Sequence, residues 1–170
     1  MNQLPIIIDN LHFSSRKQTL SGVIDAFTFE RLRDVFVQDA ANVEAKNQVR
    51  YTLTGWLDAQ NRAFLTLNLD ASLLMQCQRC LTAVAVPISL KFTYLVTQQT
   101  EAEMLESEAM EDDVDLIEMD TQMDVGLLIE DELLVALPIA PVHVQACAEL
   151  KLSSGEKANP FAVLKELKKS

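Results

Sequence analysis

The alternation of apolar and polar residues between positions 50 and 96 constrains this chain more than any other feature. Arg50-Tyr51-Thr52-Leu53-Thr54-Gly55-Trp56-Leu57 alternates, and so does Ala63-Phe64-Leu65-Thr66-Leu67-Asn68-Leu69. Val86, Ile88, Leu90, Phe92, Tyr94 and Val96 carry the same two-residue period further. Successive side chains of a strand point to opposite faces, so this period means one face buried and one wet. Asp58-Ala59-Gln60-Asn61 has the length of a hairpin loop. With residues 71–76 added, the pattern predicts four strands in succession, at 50–57, 63–69, 71–76 and 84–96. They form an antiparallel sheet, curled or barrel-like, and residues 77–80 are the turn before the last strand.

The flanks carry helical signals. Phe29, Leu32 and Phe36 recur at helical spacing and predict a short amphipathic helix. Residues 1–24 read as irregular or strand-like. Residues 123–137 predict a helix that stops before Pro138. Its carboxylates Glu130, Asp131 and Glu132 spread around the helical wheel, and so do its large apolar residues. At least one carboxylate must then point away from bulk water. Burying it unpaired is costly, so it needs a partner, and Arg79 is a candidate.

Residues 98–115 carry many Glu and Asp among few large apolar groups and predict an acidic, mobile insertion. Leu116 and Ile117 re-enter the fold as a short strand. Residues 153–158 read as a linker. Asn159 can cap a helix with Pro160 at its first position, and Phe161, Leu164 and Leu167 then share a face. The expected fold class is α+β, with one domain over 1–150 and a linker plus a short amphipathic helix over 151–170.

Composition narrows the function. No apolar stretch approaches the roughly 20 residues that span a bilayer, and no basic region precedes Ile6-Ile7-Ile8 as in a signal peptide. The expected location is the cytoplasm, with no membrane partner. The net charge is −11, and residues 92–150 hold 15 of the 25 acidic residues and no Lys or Arg. Such a surface repels phosphates and suits a basic protein partner, or simply keeps the chain soluble. Arg31, Arg33, Lys46 and Arg50 are the candidate nucleic-acid contacts, if the helix near them packs beside the first strand.

Two patches carry chemistry. Cys77 and Cys80 form C-x2-C, and His143 and Cys147 form H-x3-C. Two close pairs of soft ligands on separate elements are the arrangement of a structural zinc site. The alternative is that they are small buried side chains beside an ordinary histidine. A redox dithiol normally opens a helix after a strand, which this turn does not do. Glu130, Asp131 and Glu132 could serve general acid–base chemistry with a metal, as in a hydrolase. No nucleophile, phosphate loop or substrate clamp accompanies them, so they read as partner-binding or paired residues. Phe161, Leu164 and Leu167 read as partner-binding too.

The order of these pieces is itself informative. C-Q-R-C-L at 77–81, the acidic run, E-D-E-L-L-x-A-L-P-I-x-P-x-H at 130–143 and N-P-F-A-V-L at 159–164 together resemble the bacterial YceD family. The resemblance runs from about residue 73 to residue 167, and the N-terminal third follows it only in layout. It implies a role in the synthesis, processing or stability of 23S ribosomal RNA, and so in building the large ribosomal subunit. Ribosomal proteins or assembly factors are the implied partners, with the RNA contacted directly or indirectly. It implies no known catalytic reaction.

Overall fold

The computed structural model describes residues 4–38, 47–98, 114–145 and 147. The predicted acidic insertion falls largely on residues 99–113, outside the described residues. So do the C-terminal segment with Phe161, Leu164 and Leu167, and Lys46.

The long alternation builds the centre of the molecule. Strands β1 (Ile7–Ile8), β2 (Thr19–Asp25), β3 (Gln48–Leu57), β4 (Ala63–Gln76) and β5 (Ala83–Thr97) follow in chain order, with helix α1 (Asn10–Ser15) between β1 and β2 and short turns joining β3 to β4 and β4 to β5. Strand β6 (Asp115–Glu118), strand β7 (Met123–Asp124) and helix α2 (Val125–Ala136) follow. The main sheet has the order β2-β3-β4-β5-β6. Its pairs are antiparallel except β5 with β6, which run parallel with Leu95 beside Leu116. Strands β1 and β7 form a second, two-stranded sheet whose Ile8 and Met123 pack on the same core. The α+β class is as expected. The sheet does not close into a barrel: among the described residues its edge strands β2 and β6 each pair on one side alone. A parallel last strand needs a long crossover rather than a hairpin, and that takes the chain out of the meander.

Two further expectations are corrected. Residues 63–69 and 71–76 are one strand, not two. Asp70 is a poor strand former, but it lies on the wet face opposite Ser89, whose hydroxyl donates to its carboxylate at 3.1 Å. The segment with Phe29, Leu32 and Phe36 buries all three side chains but is no α-helix. It begins with a 3-10 turn, Ala26–Thr28, capped by Asp25. Phe36 bridges to Met75, and the Val37 N–H donates to the Leu74 carbonyl at 2.9 Å. The end of the segment has taken strand contacts against β4, which a helix could not make.

Tyr51, Leu53, Leu65, Leu67 and Leu69 line the inner face of the sheet with no exposure. Val125, Ile129 and Leu133 of α2 belong to the same cluster, as does Phe13 of α1. Helix α1 sits tight on β3: a Cβ at Gly55 would stand 2.6 Å from the Ser14 Cα, so glycine is needed there. No helix among the described residues is long and apolar enough to cross a membrane.

Candidate metal centre

The β4–β5 turn presents two of the four soft ligands. Cys77 directly follows β4, and its N–H donates to the Thr82 carbonyl at 2.9 Å. The Leu81 N–H closes the turn on the Cys77 carbonyl, also at 2.9 Å. Leu81 takes φ 61° there. This left-handed backbone costs a non-glycine residue about 1–2 kcal/mol. Leu81 is mostly exposed, so packing does not demand it. The turn geometry does, because it brings Cys77 and Cys80 to one side.

The other two ligands arrive after α2. The helix stops at Ala136, before Pro138, and the chain continues as coil. The Gln78 N–H donates to the Pro141 carbonyl at 2.9 Å and fastens this coil to the turn. Arg79 fastens it again: its guanidinium donates to the carbonyls of His143 and Gln145 at 3.1 and 3.0 Å and to the Cys147 sulfur at 2.8 Å.

The donor atoms of Cys77, Cys80, His143 and Cys147 lie within 4.8 Å of one another. Cys77 Sγ is 3.9 Å from Cys147 Sγ, and Cys80 Sγ is 3.5 Å from His143 Nδ1. With Zn–S near 2.3 Å and Zn–N near 2.0–2.1 Å, a tetrahedron has S···S edges of about 3.8 Å and S···N edges of about 3.6 Å. The two observed edges match those values. His143 Nε2 lies 3.1 Å from the Ala83 carbonyl. A carbonyl can only accept, so Nε2 carries the proton and Nδ1 turns its lone pair toward the sulfurs. This is the outer support that metal-ligating histidines usually have. The cluster could hold a metal such as zinc.

Electrostatics favour ligation unevenly. Burial pushes the Cys77 thiol up, but backbone N–H groups of Cys80, Arg79 and His143 more than offset this and bring it down to about 5. The hydroxyl and N–H of Thr82 hold Cys80 below the ordinary thiol value. Burial raises Cys147, with Arg79 opposing. The bond with Cys77 holds His143 above its usual value.

The expected pairing of Arg79 with the α2 carboxylates is not found, because Arg79 is occupied at this centre. Arg31 takes that role. Its backbone N–H donates to Glu130 Oε1 at 2.7 Å, its Nε lies 3.3 Å from Glu130 Oε2, and its terminal nitrogen lies 2.6 Å from Asp131. Glu130 is the carboxylate that leaves bulk water, at 3% exposure. Tyr94, buried on β5, donates to Glu132 at 2.7 Å. Of the basic residues, Arg33 is exposed, and Arg50 stands on the polar face of the sheet opposite Asp70. The supports supplied by Arg79, Thr82 and the Ala83 carbonyl were not foreseen. Only their closeness in sequence to Cys80 could have suggested them.

Residues 65–168 match the model of the family described as "Large ribosomal RNA subunit accumulation protein YceD". The chain belongs to the YceD family. All four candidate ligands lie inside the matched span. A relative from Haemophilus influenzae (strain ATCC 51907 / DSM 11121 / KW20 / Rd), described in the same words, is 27% identical over 178 residues, covering 98% of this chain and 97% of that protein. No solved structure matches the chain significantly.

Proposed function

We propose that this YceD-family protein supports accumulation of 23S ribosomal RNA, and so assembly of the large subunit, as a non-enzymatic cytoplasmic factor working through protein partners. The observation that carries this is the family match over residues 65–168, joined by a relative of nearly equal length whose description names large ribosomal RNA subunit accumulation. Zinc in the Cys77, Cys80, His143 and Cys147 centre acts as a structural ion, since four protein ligands leave no open position for substrate. It staples the coil after α2 to the sheet.

The charge favours a protein partner. Residues 92–150 offer 15 carboxylates and no Lys or Arg to counter a phosphate backbone. Arg31, one of the few candidate phosphate contacts, already serves Glu130 and Asp131. The carboxylates at 130–132 are engaged with Arg31 and Tyr94, which argues against a hydrolase built on them. The partner surface proposed is the outer side of α2, where Leu127, Leu134 and Val135 are exposed beside Asp131. The C-terminal residues Phe161, Leu164 and Leu167 are proposed as further partner contacts, on a segment that follows a single domain over 1–150.

Depleting the protein is expected to lower 23S ribosomal RNA relative to the small-subunit RNA, with recovery on re-expression. Affinity capture from lysate is expected to retain a basic protein after nuclease treatment. Capture lost with nuclease, with a steep fall of affinity against salt, would favour direct RNA binding instead.

A further inference from the structure

We infer that the Cys3His centre is also a modification site: a peroxide-class oxidant joins Cys147 to Cys77 and expels the metal. This rests on the zinc reading above and adds a chemical event that ends it. Cys77 and Cys147 are 70 positions apart in sequence, yet their sulfurs stand 3.9 Å from each other. A disulfide needs about 2.05 Å, so a closing movement of about 1.9 Å suffices.

The two sulfurs differ in access and in freedom to move. Cys77 has no exposure, whereas Cys147 is partly exposed. Cys147 is the one an oxidant reaches. The Arg79 guanidinium touches its sulfur at 2.8 Å, which places a cation against the sulfur that the oxidant reaches. Cys77 is fixed at the end of β4, while Cys147 lies on coil that bonds to the turn through Arg79 and the Pro141 carbonyl. The coil can therefore supply the movement. Pairing Cys77 with Cys80 would instead remake the turn, which is closed by the Leu81–Cys77 and Cys77–Thr82 backbone bonds. Cys80 is also turned toward Thr82 Oγ1 at 3.1 Å and His143 at 3.5 Å.

The step balances. The Cys147 thiolate attacks one oxygen of hydrogen peroxide, the O–O bond breaks and hydroxide leaves, giving a sulfenic acid. The Cys77 thiolate then attacks that sulfur, the S–O bond breaks, and a second hydroxide leaves with the disulfide. Two thiolates are oxidised by two electrons and one peroxide is reduced. One thiolate and one imidazole remain, too few to hold the ion. A thiol reductant returns both ligands.

The test uses the full-length chain, loaded with zinc under anaerobic reducing conditions and then titrated with hydrogen peroxide. A chromogenic chelator reads released zinc, and peptide mapping after thiol blocking reads the cross-link. Zinc release should rise in step with a single Cys77–Cys147 peptide, to about one ion per chain. Reductant plus zinc should reverse both. Release accompanied by a Cys77–Cys80 peptide, or by sulfinic acid on separate cysteines, would overturn the inference and leave the zinc reading intact. Zinc retained after full thiol oxidation would overturn it as well. A Cys80→Ser chain gives a second arm that does not need bound zinc: the Cys77–Cys147 peptide should still form there, and its absence contradicts the pairing.

Discussion

The middle of the sheet and the centre at its end are held by different physics, although β4 runs through one into the other. Between β3, β4 and β5, inner residues such as Leu53, Leu65 and Leu67 have no exposure, and ladder bonds run the length of each strand. Burial is non-directional and shared among many contacts. The coil after α2 is the opposite case. Ile139 and Val144 are fully exposed, and Val142 is half exposed. This coil is held by Arg79 and by the Gln78 bond to the Pro141 carbonyl, and it carries His143 and Cys147, two of the four residues that could hold a metal. The sheet therefore supplies a rigid half of the centre, Cys77 and Cys80, and the coil supplies a half that can leave. A defect in the core should weaken the whole fold, while a defect at the centre should release one segment.

The largest global effect expected is from Leu67→Ala, a fully buried position on the central strand. Denaturant unfolding should show a loss of about 2–5 kcal/mol. A loss well under 1 kcal/mol would mean that the sheet interior is not the main source of stability. Next is Arg31→Ala. Glu130 stays buried but loses its side-chain cation. The Arg31 backbone donor remains, and the pair is half exposed on the Arg31 side, so the cost should be small, well below that of Leu67→Ala. The same variant separates a structural Arg31 from an RNA contact, which would change binding and leave stability alone.

Smallest in global stability, and sharpest in place, is removal of the ion. Chelator should leave amide exchange in β3 and β4 protected while residues 77–82 and 142–145 exchange faster. If β4 lost protection throughout, the two regions would be one cooperative unit. Acid should act like chelator. His143 is held above its usual value by its bond to Cys77, and a proton on Nδ1 competes with the ion. Zinc affinity should be full above that range and lost as pH falls through it.

The sheet was legible because a period of two over long runs leaves little choice of structure. Helix α1 was not, since six residues with Phe13 as their one large buried side chain carry no readable period. Its capping by Asp9, whose carboxylate accepts from the His12 N–H at 2.8 Å, was the available sign. The Phe29, Leu32 and Phe36 spacing misled because burial of three side chains can be met by a turn as well as by a helix. The clustering of Cys77, Cys80, His143 and Cys147 was legible from spacing. Arg79 was misassigned because a sequence shows which charges could pair, not that a sulfur and two carbonyls compete for the same guanidinium. The partner of Glu130 lay 99 positions away at Arg31, a contact that only the packing of α2 reveals.

Metal analysis with X-ray absorption at the zinc edge, on protein purified without chelator, tests the centre most directly. About one zinc per chain is expected, in a shell of three sulfurs near 2.3 Å and one nitrogen near 2.0 Å, lost in Cys80→Ser. Metal-free protein with three free thiols, unable to take up zinc under reducing conditions and unchanged by chelator, would contradict it.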